Sequence, residues 1–291
     1  MKKTMEERLF NAFALAVTTV FAFGCLMPLL YTLAGSFTDE RMLYAGIKLI
    51  PKKVSVESYK MVLKNPVDML NAYKITMLLV ILGVGLGLFI TSMTAYVLYR
   101  KDFKYRGFFS FIFMFTTLFS GGLIPTYIVF CKLGLRGNFS AMLVANLFSV
   151  FNMIVMRSYL VGNIPESLVE SAKIDGANDF VIYARIVMPA AKPILATVGL
   201  LTGLAYWNDW YNAMLYINDR ALYPLQYYLY KLLNDAQMLT KLSSMTTLKQ
   251  SMPSEGYKMA MTIFTIGPVI LFYPFVQKYF VAGVTIGAVK G

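Results

Sequence analysis

Residues 170–189 read ESAKIDGANDFVIYARIVMP and lie between two long apolar runs, where a chain that is 58% hydrophobic would be expected to start another membrane span. Their pattern is helical, but it is not that of a span. Just upstream, Pro165 is tolerated in a helix's first turn, and Glu166 beside it favours the positive end of the helix dipole. Ile164, Leu168 and Ala172 recur on one face, while Glu166, Glu170 and Lys173 lie roughly half a turn away. This predicts a short amphipathic helix. Asp175-Gly176 then supplies a sharp turn, because glycine adopts backbone angles that other residues avoid. A second short helix is expected from about Asp179 to Met188, where Pro189 ends it or opens the next span. On pattern alone, a helix lying on the bilayer and a helix docking onto a partner fit equally well.

The flanking sequence makes this an integral membrane protein. Only 14% of residues are charged, against roughly a quarter in soluble domains. Runs free of Asp, Glu, Lys and Arg cover 9–38, 75–99, 107–131, 137–156, 194–208 (continuing past Asp209 to Asn218) and 259–277. A spanning helix needs about 20 apolar residues, so six spans are expected, which puts both termini on one side. The formal charge of +12 comes from Lys and Arg scattered through loops, a distribution that favours contact with anionic lipid over nucleic acid. These residues divide almost evenly between the two sides, and only RKDFKYR (Arg100 to Arg106) clearly marks its side as cytoplasmic. The start MKKTMEERLF resembles a signal-peptide n-region, but the apolar run from Leu9 continues past Cys25. It is too long for a signal h-region and reads as a retained first span. Neither Cys25 nor Cys131 suggests a disulfide framework or a metal site. The absence of His removes His-based triads and HExxH zinc chemistry.

Two loops stand out by length. The first, 39–74, holds too few apolar residues for a core of its own; the second, 219–258, contains YPLQYYLYKLL, which reads as a surface helix with tyrosines at headgroup level. GVGLGL (Gly83 to Leu88) sits inside an apolar run and follows no strand, so its glycines are expected to serve close helix contact rather than a dinucleotide. The dipeptide Gly-Lys, which a phosphate-binding Walker loop requires, does not occur. Nucleotide chemistry therefore belongs to a partner. In AYWNDWYNAMLY, Asp209 stands alone in an apolar stretch. Burying such a charge in the bilayer costs about 2.5 to 3.5 kcal/mol on insertion scales, so it either faces a cavity or reaches water at an interface marked by Trp207 and Trp210.

Glu170-Ser171-Ala172, three residues, Gly176, nine residues, Ile186, one residue and Met188-Pro189 resemble the EAA loop of ABC-importer permeases, with Ser171 for Ala and Met188 for Leu. IPTYIVFCKLGLRGN (124–138), NIPESLVESAKIDGAN (163–178), WND (207–209) and the closing GVTIGAVKG (283–291) are similar to maltose-transporter-type carbohydrate permeases. The C-terminal region is most like the complex-oligosaccharide subgroup of Gram-positive bacteria. The resemblance implies an all-α integral membrane protein with the six-helix type I ABC importer fold. It divides the chain into an N-terminal stub, first span and external loop (1–70), a core of five helices carrying the coupling loop at 163–193 (71–280), and a cytoplasmic tail (281–291). It implies a bacterial plasma-membrane permease that is not itself an enzyme and has both termini cytoplasmic. Its expected partners are a second homologous permease, two cytoplasmic ATPases that bind ATP and Mg, and an external substrate-binding lipoprotein delivering carbohydrate. Glu170, Ala172, Asp175, Gly176, Ile186 and Pro189 would couple to the ATPases, with Glu170 making a charge-assisted contact and Gly176 permitting close backbone approach. Trp207, Asn208 and Asp209 would lie along the translocation path. Thr285, Gly287 and Lys290, in the tail, would reach the ATPases. The rivals are an ABC permease for a non-sugar solute and a solitary secondary transporter, the latter disfavoured by the lack of repeats.

Overall fold

The computed structural model describes residues 4–43, 46, 48–51, 53–64, 66–245 and 255–288, with positions 236, 239–245, 273 and 275–288 described by their backbone alone. Among these every named element is helical, and the β-structure is one isolated antiparallel bridge between Thr38 and Val54. It opens with α1 (Met5–Ser36), α2 (Glu40–Leu43), α3 (Glu57–Lys64) and α4 (Val67–Tyr99). Then come α5 (Arg106–Leu118), α6 (Leu123–Lys132), α7 (Phe139–Ala145), α8 (Val150–Asn163) and α9 (Glu166–Ile174). A composite helix follows, made of α10 (Asp179–Val181), a π-helical turn (Ile182–Val187) and α11 (Met188–Ala190). The chain finishes with α12 (Lys192–Trp207), α13 (Tyr211–Tyr216), a 3-10 turn (Arg220–Leu222), α14 (Leu225–Met245) and α15 (Glu255–Ala288).

Two compact units emerge, one from residues 1–66 with 231–268, the other from 67–230 with 269–291. In the first, Thr4 caps α1 through a reciprocal pair: its hydroxyl accepts from the Glu7 N–H, and the Glu7 carboxylate accepts from the Thr4 N–H at 3.0 Å. The hydroxyls of Thr18, Thr19 and Thr32 donate to carbonyls four residues back, which satisfies them inside an apolar helix. The loop after α1 borrows its core, as its composition predicts. Leu43 and Val62 are buried, the Tyr59 ring packs on Phe37 and Phe264, and Tyr59 shares a 2.8 Å hydrogen bond with Ser36. Lys53 donates to Asp39 at 2.8 Å and holds that carboxyl below its ordinary range. The Glu40 carboxylate accepts the N–H groups of Glu255 and Gly256 at 3.0 and 3.2 Å, capping the start of α15.

The second unit is built around α4, which packs chiefly along α12 and α8. Its glycines explain the close approach. A Cβ at Gly83 would lie 2.1 Å from the Tyr206 ring and one at Gly87 2.9 Å from the Leu147 carbonyl oxygen, whereas Gly85 faces open space. Two apolar clusters result. One gathers Ala95, Tyr96, Met156, Leu160, Ile182 and Val187; the other gathers Leu79, Met142, Tyr206, Tyr216 and Ile217.

Among the described residues, α1 and α4 are the single helices long and apolar enough to cross a membrane. Three further candidates are helix pairs bent at a break: α5 with α6 by 116°, α7 with α8 by 45°, and the composite helix with α12 by 84°. The described residues thus hold two such helices, or five if each bent pair is one span; they do not establish the expected six. A charge-free run reports composition, and a glycine or polar residue can break the helix within it. The stretch YPLQYYLYKLL also differs from expectation. Leu225, Tyr227 and Leu229 are buried, and the Leu225 N–H donates to Thr76 Oγ1 at 2.8 Å.

Candidate functional site

The quoted stretch forms two helices separated by a turn. Pro165 is the N-cap of α9 with extended backbone (ψ 138°), so Glu166 occupies the first helical position. The buried face of α9 differs from the expected one. Ile164, Val169 and Ala172 are buried while Leu168 is 44% exposed, because Ile164 precedes the helix and cannot share its register. At the other end the Ala177 N–H donates to Ala172 O and the Gly176 N–H to Lys173 O, both at 3.0 Å, with Gly176 at φ +82°. This is a Schellman stop, and glycine is required for its backbone angle. Nothing lies within 4 Å of where a Gly176 Cβ would sit.

Asn178 caps the composite helix by accepting from the Val181 N–H at 2.9 Å. That helix continues through Pro189 to Ala190, and the break falls at Ala191, two residues beyond the proline expected to mark it. Ile186 is half-buried against the α4–α8 cluster. Ile174, by contrast, is 87% exposed, and Phe180, Glu170 and Asp175 are exposed beside it. Glu170 has no ion-pair partner among the described residues. It lines a cavity of about 430 Å³ between α9 and the end of α4, with Arg106 on its wall.

A charged clamp holds this loop. The Arg100 guanidinium, 9% exposed, donates through Nε and Nη2 to Asp102 and through Nη1 to Asp179 at 2.7 Å and Tyr96 OH at 2.8 Å. Lys173 on α9 donates to the same Asp102, and Lys101 pairs with Glu166 at 2.5 Å. Arg100, then Lys173, hold the Asp102 carboxyl well below the usual carboxylate range, and Asp102 raises Arg100 above its ordinary value. Below the clamp, Tyr99 OH donates to Ile164 O at 2.9 Å, and Ser92 shares a buried 2.7 Å hydrogen bond with Tyr183. Read for topology alone, RKDFKYR looked like cytoplasmic surface charge. Its partners on the loop, Glu166, Lys173 and Asp179, lie 65 to 79 residues away in the chain, and the only local signal is an Arg two residues before an Asp.

The three residues of WND are separated by the structure. Trp207 is buried with Ala72 and Leu225, edge-on to Tyr73, and its indole Nε1 has no hydrogen-bond partner among the described residues. Asn208 accepts from Gln226 at 3.3 Å. Asp209 accepts from the Asn212 N–H, Asn212 Nδ2 and Asn146 Nδ2 at 2.7 to 3.0 Å. It therefore joins the break between α12 and α13 to the break between α7 and α8. Of the tail residues, Thr285 and Gly287 fall within the backbone of α15, which runs to Ala288, and Lys290 lies outside the described residues.

This arrangement, an amphipathic helix stopped by a left-handed glycine between two bent helix pairs, coincides with a family match. The model for the binding-protein-dependent transport system inner membrane component matches residues 83–286. The chain belongs to this family. The matched span takes in both the 170–189 stretch and WND. The chain is 35% identical to the polygalacturonan/rhamnogalacturonan transport system permease protein YtcP of Bacillus subtilis, over 99% of this chain and 100% of that one. It is also 35% identical to protein LplC of Bacillus subtilis, over 91% and 90% respectively. Among solved structures, a bacterial ABC transporter involved in the import of the acidic polysaccharide alginate superposes with a TM-score of 0.83 at 31% identity, over 96% of this chain and 99% of that one. A family member of this kind is a membrane component of a multi-subunit ABC system, which removes the solitary secondary transporter from consideration.

Proposed function

We propose that this chain is a permease subunit of an ATP-driven importer for oligosaccharides, with uronic-acid-containing fragments the first substrates to test. The observation that carries the reading is the 163–193 loop: its charged and apolar tip residues Glu170, Ile174 and Phe180 are exposed while its base is clamped to α4. A membrane protein spends exposed apolar area on a rigid helix where a partner covers it. The partner that suits it is a cytoplasmic ATPase that binds ATP and Mg and seats Glu170, with Ala172, Asp175, Gly176, Ile186 and Pro189 fixing the shape of the loop. The names of the relatives support the substrate class: polygalacturonan and rhamnogalacturonan for YtcP, arabinooligosaccharides for AraQ of Bacillus subtilis, alginate for the solved structure.

The rest of the machine is a second homologous permease, two ATPases and an external substrate-binding lipoprotein. Six spans place both termini in the cytoplasm. Trp207, Asn208 and Asp209 shape the wall of the path at the paired helix breaks, where discontinuous helices offer polar ends to a polar solute. Thr285, Gly287 and Lys290 extend the last helix toward the ATPases. The test is uptake by proteoliposomes holding the complete complex, using a panel of neutral and uronic oligosaccharides with amino acids as controls. ATP-dependent uptake of oligosaccharide alone supports the proposal, and uptake confined to a non-sugar solute sinks it.

A further inference from the structure

We propose that Arg100 is a positioning residue of the transport cycle. It ties the two halves of the coupling loop to the end of α4, so that a displacement delivered at α9 enters the membrane through α4 as well as through the spans the loop connects. The inference rests on the reading of 163–193 as the ATPase-facing loop.

The covalent routes out of that loop are turns. α9 is joined to α8 through the extended Ile164–Pro165 backbone and to the composite helix through a left-handed glycine at φ +82°. The composite helix then meets α12 at 84°, nearly a right angle. Each is a joint that changes direction rather than a straight strut. The ionic route is short and direct. Arg100 spans both halves, reaching Asp179 at the start of the composite helix through Nη1, and Lys173 of α9 through the shared Asp102. α4 beyond it is a 33-residue helix, about 50 Å long at 1.5 Å per residue, packed along both α8 and α12. A planar guanidinium with five donors can hold two carboxylates and a tyrosine hydroxyl at once in a fixed geometry. The guanidinium is itself 9% exposed while the Asp102 and Asp179 carboxylates are 53% and 70% exposed, so the fixed geometry of the fork, rather than the strength of any one ion pair, carries the tie.

The experiment uses the complete complex in proteoliposomes and compares wild type with Arg100→Gln, Asp179→Asn and the double variant. The measured quantity is substrate transported per ATP hydrolysed, on complexes normalised for assembled ATPase. Arg100→Gln is expected to lower that ratio about tenfold, within the range of typical coupling energies. Asp179→Asn should lower it in the same direction, and the double variant should be no worse than Arg100→Gln alone, as expected for residues acting through one contact. A residue that merely stabilises the fold would reduce the amount of assembled complex and leave the ratio untouched. A wild-type ratio in assembled Arg100→Gln complexes, or additive losses in the double variant, would overturn the proposal. Should Arg100→Gln fail to assemble, Asp179→Asn decides by the same ratio, since the Asp179 side chain is 70% exposed and its loss leaves the Arg100–Asp102 pair in place. Cross-linking from Glu170→Cys in otherwise wild-type complexes tests the underlying reading separately. Absence of any adduct with the ATPase removes that reading, whatever Arg100 does.

Discussion

Gly176 and Asp209 are the residues whose substitution separates local geometry from contact. At φ +82° Gly176 sits where an L side chain costs roughly 1 to 2 kcal/mol, although there is room for the side chain itself. Gly176→Leu is therefore expected to misdirect the turn, leaving capture by the external protein intact while uncoupling ATP hydrolysis from uptake. Wild-type uptake with substrate-stimulated hydrolysis in that variant would return the loop to a helix lying on lipid. Asp209→Ala removes the acceptor for three N–H groups at once. Transport should fall about tenfold or more with assembly preserved, since orphaned polar groups cost about 1 to 3 kcal/mol each and the two breaks lose their tie. Unchanged uptake would assign Asp209 to the water interface. The turn at Gly176 was readable from Asp-Gly, but the partner of Asp209 was not. Asn146 is one of many polar residues near apolar runs, and only three-dimensional proximity singles it out.

Among the elements, α4 makes the sharpest prediction. Gly83→Ala places a methyl group 2.1 Å from the Tyr206 ring, a separation real Cβ atoms do not show, and Gly85→Ala places one in open space. The first variant should lower the thermal midpoint in detergent by several degrees, because overpacking typically costs 1 to 3 kcal/mol; the second should leave it near wild type. Equal midpoints would mean that the α4–α12 contact is looser than these distances. The small-residue pattern was legible in GVGLGL. The helix breaks were not, since an apolar run carries the same composition whether it is straight or bent by 116° as between α5 and α6. The motif spacing gains a reason from the π-helical turn at Ile182–Val187, which lies within the interval from Gly176 to Pro189. The wider i→i+5 repeat of that turn places Ile182 and Val187, five residues apart, on one face, and both are buried in the same cluster.

At the scale of the whole chain, all-helical membrane architecture was legible from runs and charge. The number of spans was not, because bent pairs and long helices fill the same apolar length differently. The C-terminal segment supplies a prediction at this scale. Deleting Thr285 to Gly291 should preserve membrane insertion and complex assembly while lowering transport per ATP, since the proposed contacts of the tail are with the ATPases. A fully active truncation, scored by uptake at equal protein, contradicts it. The capping of α15 by Glu40 has a consequence for biogenesis. The carboxylate and the N–H groups it accepts are separated by 215 and 216 residues of chain. At a synthesis rate of about 5 to 20 residues per second, Glu40 leaves the ribosome roughly 10 to 40 s before its partners exist. The first unit is therefore sealed only after residues 67–230 have been made, and until then α2 and α3 wait beside an open place for a helix not yet translated.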